Sequence, residues 1–403
     1  MEFSDQKRGS IVRLADGLVR LRAPVTRAAL SPDGRYVAWT PHDDATRSDV
    51  VVTDVVTGED FLRLRGSAVR HVEWCAPTRL LVVREGAMGA HRMTVHELPD
   101  GGAVAECGFP EGVKSVDRVE VSRDGRHVCV HDASYWPYVS CTRALPDLAV
   151  AGDIERGSTE SALDVALHPD GHELAVLMRA PGGMSLAVLS ARDGTVRRAA
   201  KLTGLANLDA PLWASAARLV LRVDAGRDSA VVDQPAAGAE VVAVTVSTLV
   251  GGRGFAFTRL AVSPTRAAVV GALRPKQYPA PRAVVAVDVN TGAVLARREV
   301  ARRAYSDVTG AMTVDDRGAV VALAAGEGTM LVWVGLDRGE GRELDVPDSR
   351  MSRGVIAASV IPAGVVPVLE PLVPRGASAS RPGWKVLLLS LDALRTQGKA
   401  AAG

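Results

Sequence analysis

Aromatic side chains are scarce in this 403-residue sequence: they make up 4% of it, against 47% hydrophobic and 23% charged residues. No apolar run approaches the roughly 20 residues that a membrane-spanning helix needs, so we expect no membrane span. The first residues carry charges with no apolar segment behind them, and we therefore expect no secretory signal. A net charge of only +2, combined with the hydrophobic content, excludes a disordered chain.

Cysteine is also rare, and neither sign of charge dominates. Four cysteines are few for this length, which is typical of a reducing compartment and predicts a cytoplasmic protein. Two of them, Cys129 and Cys141, are predicted to face each other across one hairpin as buried thiols. Basic and acidic residues, 48 against 46, are interspersed, so no field attractive to a polyanion builds up. We expect neither nucleic acid nor a membrane as a partner.

Glycine (39) and proline (22) are plentiful, which is typical of many short strands and turns. They follow a repeat, in which residues 28–39 read as a short strand, a Ser-Pro-Asp-Gly turn at 31–34 and a second strand. Turns of this kind or degenerate copies of it begin at residues 31, 75, 122, 168, 214, 263, 315 and 361. Eight copies at a near-constant spacing indicate a repeat architecture.

Each copy continues with two further strands joined by a tight turn, such as Thr57-Gly58 in the first copy. Glycine supplies the positive φ that such hairpin turns require. Four antiparallel strands in about 45–50 residues are the size of one propeller blade. We predict an all-β fold, a single β-propeller domain over 1–403 with eight blades, or seven if the last copy is an appendage.

The last copy lacks a convincing fourth strand, whereas a spare strand segment precedes the first copy at 18–22. We predict that residues 10–22 complete the last blade and close the ring, which removes exposed sheet edges. Residues 395–403 are expected to form a disordered tail.

The Ser-Pro-Asp-Gly-Arg turn at 31–35, with Asp-Val-Val-Thr-Gly at 54–58 closing the hairpin, resembles the repeats of WD40-like and TolB-like propeller proteins. The resemblance covers about 11–394, and the Ala-, Val- and Arg-rich composition is of the bacterial, high-G+C type. It implies binding of a partner or a ligand around a central channel, and the fold alone does not choose between them.

In such a blade, the loop between the second and third strands shares one face with the loop that leads into the next blade. On this loop face lies Tyr-Trp-Pro-Tyr at 135–138, three of the sixteen aromatic residues within four positions. Exposed Tyr and Trp on a rigid loop form binding hot spots, so Tyr135, Trp136 and Tyr138 are predicted to bind a partner. The alternative is that they fold inward and plug the channel. Lys276 and Tyr278, in the equivalent loop of the sixth copy, either cooperate with them or belong to a stiff loop.

Four residues before the turn, at the start of the innermost strand, five copies carry cationic or titratable side chains: Arg27, His71, Arg118, Asp164 and Arg259. Around one axis they would form an electropositive mouth for a small carboxylate or phosphate. The alternative is that each arginine pairs with an acid of a neighbouring blade, such as Asp117, Asp209 or Asp307.

No nucleophile motif, phosphate-binding loop or dinucleotide fingerprint occurs, and the eight histidines do not converge, so we expect no cofactor and no metal. The leading hypothesis is a non-enzymatic cytoplasmic scaffold that binds a protein or peptide on its loop face. The alternative is a lyase, cyclase or hydrolase acting on a small anionic metabolite in the channel. In that enzyme Arg27, Arg118 and Arg259 would hold the anion, and His71 or Asp164 would act as acid or base.

Overall fold

The structure is a computed structural model of the 403-residue chain. It describes residues 11–13, 18–21, 25–41, 49–86, 89–132, 138–156, 161–180, 183–202, 208–215, 218–223, 230–233, 244–245, 255–262, 268–275, 283–288, 290–291, 293–299, 305–308, 313–314, 318–325, 328–336, 341–346, 365–371 and 384–390. Within these ranges no helix is long and apolar enough to cross a membrane.

The first half of the strands, in chain order, are β1 Ile11–Arg13, β2 Leu18–Leu21, β3 Val25–Leu30, β4 Tyr36–Pro41, β5 Val50–Asp54, β6 Asp60–Leu64, β7 Val69–Ala76, β8 Arg79–Glu85, β9 His91–Glu97, β10 Gly102–Gly108, β11 Arg118–Val121, β12 His127–Asp132, β13 Tyr138–Ala144, β14 Val150–Arg156, β15 Ser161–Leu167 and β16 Glu173–Ala180. The remaining strands are β17 Gly183–Ser190, β18 Val196–Leu202, β19 Leu208–Ser215, β20 Arg218–Val223, β21 Ala230–Asp233, β22 Val244–Thr245, β23 Phe255–Val262, β24 Ala268–Pro275, β25 Ala283–Asp288, β26 Val294–Glu299, β27 Tyr305–Val308, β28 Thr313–Val314, β29 Gly318–Ala325, β30 Gly328–Gly335, β31 Gly341–Val346, β32 Val365–Pro371 and β33 Trp384–Ser390.

The chain divides into two compact units, 1–107 together with 350–403, and 108–349. The first unit holds a four-stranded sheet, β10-β9-β8-β7, and an eight-stranded sheet ordered β1-β2-β33-β3-β4-β5-β6, in which β32 also pairs with β33. The pairing that was predicted between the N-terminal segment and the last copy is present, because β2 runs antiparallel to β33 with Leu18 opposite Leu389. Closure of a ring stays a prediction.

The second unit holds four-stranded sheets in simple strand order: the third sheet β11–β14, the fourth sheet β15–β18, and then β19–β22 and β23–β26. A five-stranded sheet, β27-β29-β30-β31 with β28 paired to β29, follows. The paired strands are antiparallel, with Val119 opposite Val130 in the third sheet and Val165 opposite Val176 in the fourth. The predicted four-stranded antiparallel units are therefore confirmed.

The polar turn between the first and second strands of a sheet is held by its own side chains. In the first copy the Tyr36 N–H donates to Ser31 Oγ at 2.9 Å, and Gly34 takes a φ of 71°. In the third copy the His127 N–H donates to Ser122 Oγ at the same 2.9 Å. Because these hydroxyls satisfy backbone donors at the strand ends, the turn sequence specifies the hairpin locally.

Buried indole groups connect adjacent sheets within each unit. Trp213 of β19 donates its Nε1–H to the Ala166 carbonyl of β15 at 3.2 Å, and Trp74 of β7 donates to the Ala29 carbonyl of β3 at 3.1 Å. Each alanine lies two residues before its turn, and each tryptophan lies one residue before the next turn. The small side chain leaves room for the large ring, so sheet stacking depends on this alternation of sizes.

The prediction that Cys129 and Cys141 face each other is wrong. The register of β12 and β13 places Cys129 opposite Thr142, and Cys141 opposite Val130. Successive residues of a strand point to opposite faces, so the two thiols lie on opposite faces of the third sheet. Both are fully buried and free, as predicted, and burial raises the pKa of the Cys129 thiol to about 12.

Candidate functional site

The loop that leads into the third sheet and the hairpin formed by β12 and β13 are joined at one edge of that sheet. Asp132, which ends β12 and is 1% exposed, accepts hydrogen bonds from the Lys114 and Ser115 N–H groups, both at 2.8 Å. The Asp117 N–H donates to the His131 carbonyl at 3.0 Å. These contacts fix the loop that leads into the third sheet to the end of β12, the strand that precedes residues 133–137.

Apolar contacts hold the same loop on the sheet. Val113 is buried with Val139 and Cys141 of β13, and the partly buried Phe109 and Val116 pack against this cluster. The loop over 109–117 is thus fixed by side chains as well as by the Asp132 carboxylate. Residues 109–117, Asp132 and the start of β13 therefore form one packed and hydrogen-bonded part of the loop face.

Arg118 and Asp164, two of the predicted inner-strand site residues, are brought together by the structure. Arg118 Nη1 donates to Asp164 Oδ1 at 2.6 Å, so β11 is joined to β15 of the next sheet. Arg118 also pairs with Glu120, two residues along its own strand. A second oxygen of Glu120 accepts the Leu167 N–H at 2.5 Å. The arginine therefore pairs with acids, as the alternative reading held, although with Asp164 and Glu120 rather than with Asp117.

The charges of this cluster favour the ionised form of Arg118, whereas burial raises the pKa of Glu120 and opposes its ionisation. Burial alone would lower the pKa of Arg118, but the charges of Glu120 and Asp164 outweigh it and raise that pKa above its usual value. Burial, together with the charge of Arg118, lowers the pKa of His131 to about 3. His131 lies opposite Arg118 in the register and is 1% exposed, so it is neutral at physiological pH.

In the first unit, Arg27 and His71 lie on the innermost strands β3 and β7. Arg27 is exposed and donates its Nε–H to the Val69 carbonyl at 3.4 Å. His71 is partly buried, with Nε2 3.7 Å from Glu73 Oε2. Arg27 is therefore bonded to the adjacent innermost strand, whereas the buried Nε2 of His71 has no hydrogen-bond partner among the described residues.

The remaining predicted site residues are described in part or not at all. Tyr138 begins β13 and Arg259 lies within β23, and for both only the backbone is described. Tyr135, Trp136, Lys276 and Tyr278 lie outside the described residues.

Sequence reasoning missed two acids that build this site, Glu120 and Asp132. Glu120 occupies the position between the buried Val119 and Val121, where strand alternation predicts a polar side chain, so nothing in the sequence indicates that it joins two sheets. Asp132 gave no such sign either, because its two donors are backbone groups of a loop whose path depends on packing.

Metal ligands do not cluster in the described part of the chain: no group of three or more His, Cys, Asp or Glu side chains there is placed to hold an ion.

Several solved structures resemble this chain. The Dos1 propeller is 11% identical with a TM-score of 0.51, and the match covers 77% of each chain. The β-propeller domain of the Trilobed protease from Pyrococcus furiosus is 11% identical with a TM-score of 0.49, covering 81% of this chain and 99% of that one. The β-propeller domain of Cps50 (Swd1) from Myceliophteria thermophila is 13% identical with a TM-score of 0.44, covering 84% and 99%.

No protein-family model and no curated protein matches the sequence. The similarity to the Dos1 propeller, together with the four-stranded antiparallel sheets, shows that the chain has a β-propeller fold.

Proposed function

We propose that this β-propeller is a cytoplasmic interaction module that binds a protein or peptide partner on its loop face, with Tyr135, Trp136 and Tyr138 as the main contacts. In this proposal the propeller has eight blades, and the strand Leu18–Leu21 completes the last one and closes the ring. Lys276 and Tyr278 extend the same face from the sixth copy.

The observation that carries the proposal is the packed and hydrogen-bonded base at the two strand ends that flank residues 133–137. Only five residues, 133–137, separate β12 from β13, and Asp132 lies opposite Val139 in the register at the root of this loop. Asp132 also holds the neighbouring loop through two hydrogen bonds, while Val139 belongs to the buried cluster beneath that loop. Aromatic side chains on such a base lose little conformational entropy when they bind, which is the property of hot-spot residues.

The state of the inner-strand charges supports a binding module over the alternative enzyme. Asp164, the candidate general acid or base, accepts a 2.6 Å hydrogen bond from Arg118, the candidate anion clamp. Arg118 is further neutralised by Glu120. Since these groups compensate one another, they stabilise the contact between two sheets and are not poised to take a substrate.

The test uses peptides selected from a random library on the full chain. The Trp136→Ala variant should weaken their binding at least about tenfold, because a hot-spot residue contributes about 2 kcal/mol or more and about 1.4 kcal/mol already corresponds to tenfold. Phe61→Ala is the matched control, since Phe61 is an aromatic side chain 37% exposed on β6, and its affinity should stay unchanged. Both variants should keep the circular dichroism spectrum of the parent.

Equal affinity of the parent and Trp136→Ala would show that the aromatic loop is not the binding site. Native mass spectrometry of the protein purified from its own source separates the two functions. A bound polypeptide agrees with the interaction module, and a bound species of small-molecule mass would favour the enzyme.

A further inference from the structure

A cleft lies between the third and fourth sheets, at the end of β12 opposite to Asp132. Its volume is about 390 Å³, and it is lined by His127, Thr142, Val150, Ala151, Gly171, His172, Ala191 and Arg192. These residues lie at the end of the sheets that carries the polar turns between first and second strands, so the cleft is separate from the loop face described above.

Three nitrogen-bearing side chains of potential positive charge meet in this cleft. The rings of His127 and His172 contact each other edge to face, with centroids 5.0 Å apart. The Nδ1 atom of His127 is buried and has no hydrogen-bond partner among the described residues. Arg192 contributes an exposed guanidinium to the same lining.

Gly171 fixes the two imidazoles side by side. It takes a φ of 77°, and a Cβ at this position would lie 2.4 Å from His127 Nδ1. Only glycine lets the turn of the fourth sheet come so close to the ring of the third sheet. The pairing of the two histidines is therefore set by the backbone.

The carboxylates on the turns around the cleft are already engaged. Asp170 accepts hydrogen bonds from His168 Nδ1 at 2.6 Å and from the His172 N–H at 2.9 Å. Asp193 accepts the Thr195 hydroxyl at 2.6 Å. Neither carboxylate belongs to the lining, whose charged or ionisable side chains are the two imidazoles and the arginine.

We propose that this cleft binds the phosphate group of a phosphorylated ligand. Imidazole and guanidinium N–H groups are charge-assisted donors to phosphate oxygens, and a dianion stabilises the protonated form of both histidines. A metal ion is disfavoured, because Arg192 repels a cation and two imidazoles leave its coordination incomplete. Val150, 70% exposed, and Ala151 supply an apolar wall for the group that carries the phosphate.

The experiment follows the imidazole C–H signals of the full chain by NMR, assigned with His127→Gln and His172→Gln variants. Inorganic phosphate should shift both signals to saturation. Arg192→Ala should weaken this binding at least about tenfold, the loss expected for one charge-assisted hydrogen bond. Arg197→Ala is the matched control, because Arg197 is an exposed arginine of the adjacent β18 outside the lining, and it should leave the affinity unchanged.

Sulfate, a second tetrahedral dianion, should shift the same signals, and His172→Gln should weaken its binding because one of the donors is lost. Shifts that do not saturate, or an equal loss in the Arg192→Ala and Arg197→Ala variants, would overturn the proposal.

The source of the phosphate is distinguished by a blocked phosphoserine. Tighter binding of this compound than of inorganic phosphate indicates that the site also contacts the peptide group of a phosphorylated polypeptide. Equal binding indicates that only the phosphate group is recognised, as in a small phosphorylated metabolite. Both results agree with the site. Trp136→Ala should not affect either affinity, so this proposal and the loop-face proposal succeed or fail separately.

Discussion

Gly152 of β14 lies where the third sheet meets the turn between β17 and β18 of the fourth sheet. A Cβ added to Gly152 would lie 2.2 Å from the Ala191 carbonyl oxygen and 2.4 Å from the Arg192 Cα. Both atoms belong to the backbone, and Ala191 is 2% exposed within the core shared by the two sheets. A Gly152→Ala substitution therefore cannot be relieved by a side-chain rotation.

The size of the effect follows from the geometry. Real Cβ contacts essentially never fall below 3.0 Å, so the 2.2 Å contact requires a displacement of about 0.8 Å. The turn resists this shift, because the Ala191 N–H donates to the His172 carbonyl at 2.9 Å. Overpacking of this kind costs about 1–3 kcal/mol, and Gly152→Ala should lower the free energy of unfolding by that amount.

The assay is denaturant unfolding of the full chain, with a shifted midpoint and an unchanged m-value. Gly102→Ala in β10 is the control, because a Cβ there meets no atom within 4 Å. That variant should be neutral or more stable by up to about 1 kcal/mol, through the entropy of the unfolded chain. Equal stability of the two variants would refute the described packing of β14 against the neighbouring turn.

Two further predictions concern the sheet contacts and the turns. Trp213→Phe and Trp74→Phe should each lower the free energy of unfolding by about 1–2 kcal/mol, because each removes an indole hydrogen bond to the neighbouring sheet. A free energy of unfolding equal to that of the parent would contradict the role given to these hydrogen bonds. Hydrogen bonds from Thr195 lower the pKa of Asp193 to about 2 from its ordinary 3.8, so Asp193 stabilises its turn above about pH 4, and this contribution is lost as the pH falls towards 2. Asp193→Ala should lower the thermal midpoint more at pH 6 than at pH 2. Glu59→Ala, which removes an exposed acid of the corresponding turn in the first sheet, should show no such difference between the two pH values.

Much of the fold could be predicted because the interactions that define its turns are local. A Ser122 hydroxyl that satisfies the His127 N–H, and glycines that take positive φ such as Gly34, act within a few residues of their own positions. The number of strands in each four-stranded sheet follows from these turns. The proposed function was less accessible, because the aromatic residues at 135–138 are a matter of composition and no sequence feature identifies the partner that they would bind.

The sequence alone determined the repeat, the four-stranded antiparallel units and the sites of their turns, because short-range hydrogen bonds and alternating apolar residues encode them. Only the tertiary structure decided that Arg118 pairs with Asp164, 46 residues away, and that His127 meets His172 in a cleft. It also decided which faces Cys129 and Cys141 occupy, because a register shift of one residue moves a side chain to the other face of a sheet. Contacts between sheets depend on how whole blades stack, and that depends on the packing of many distant residues at once.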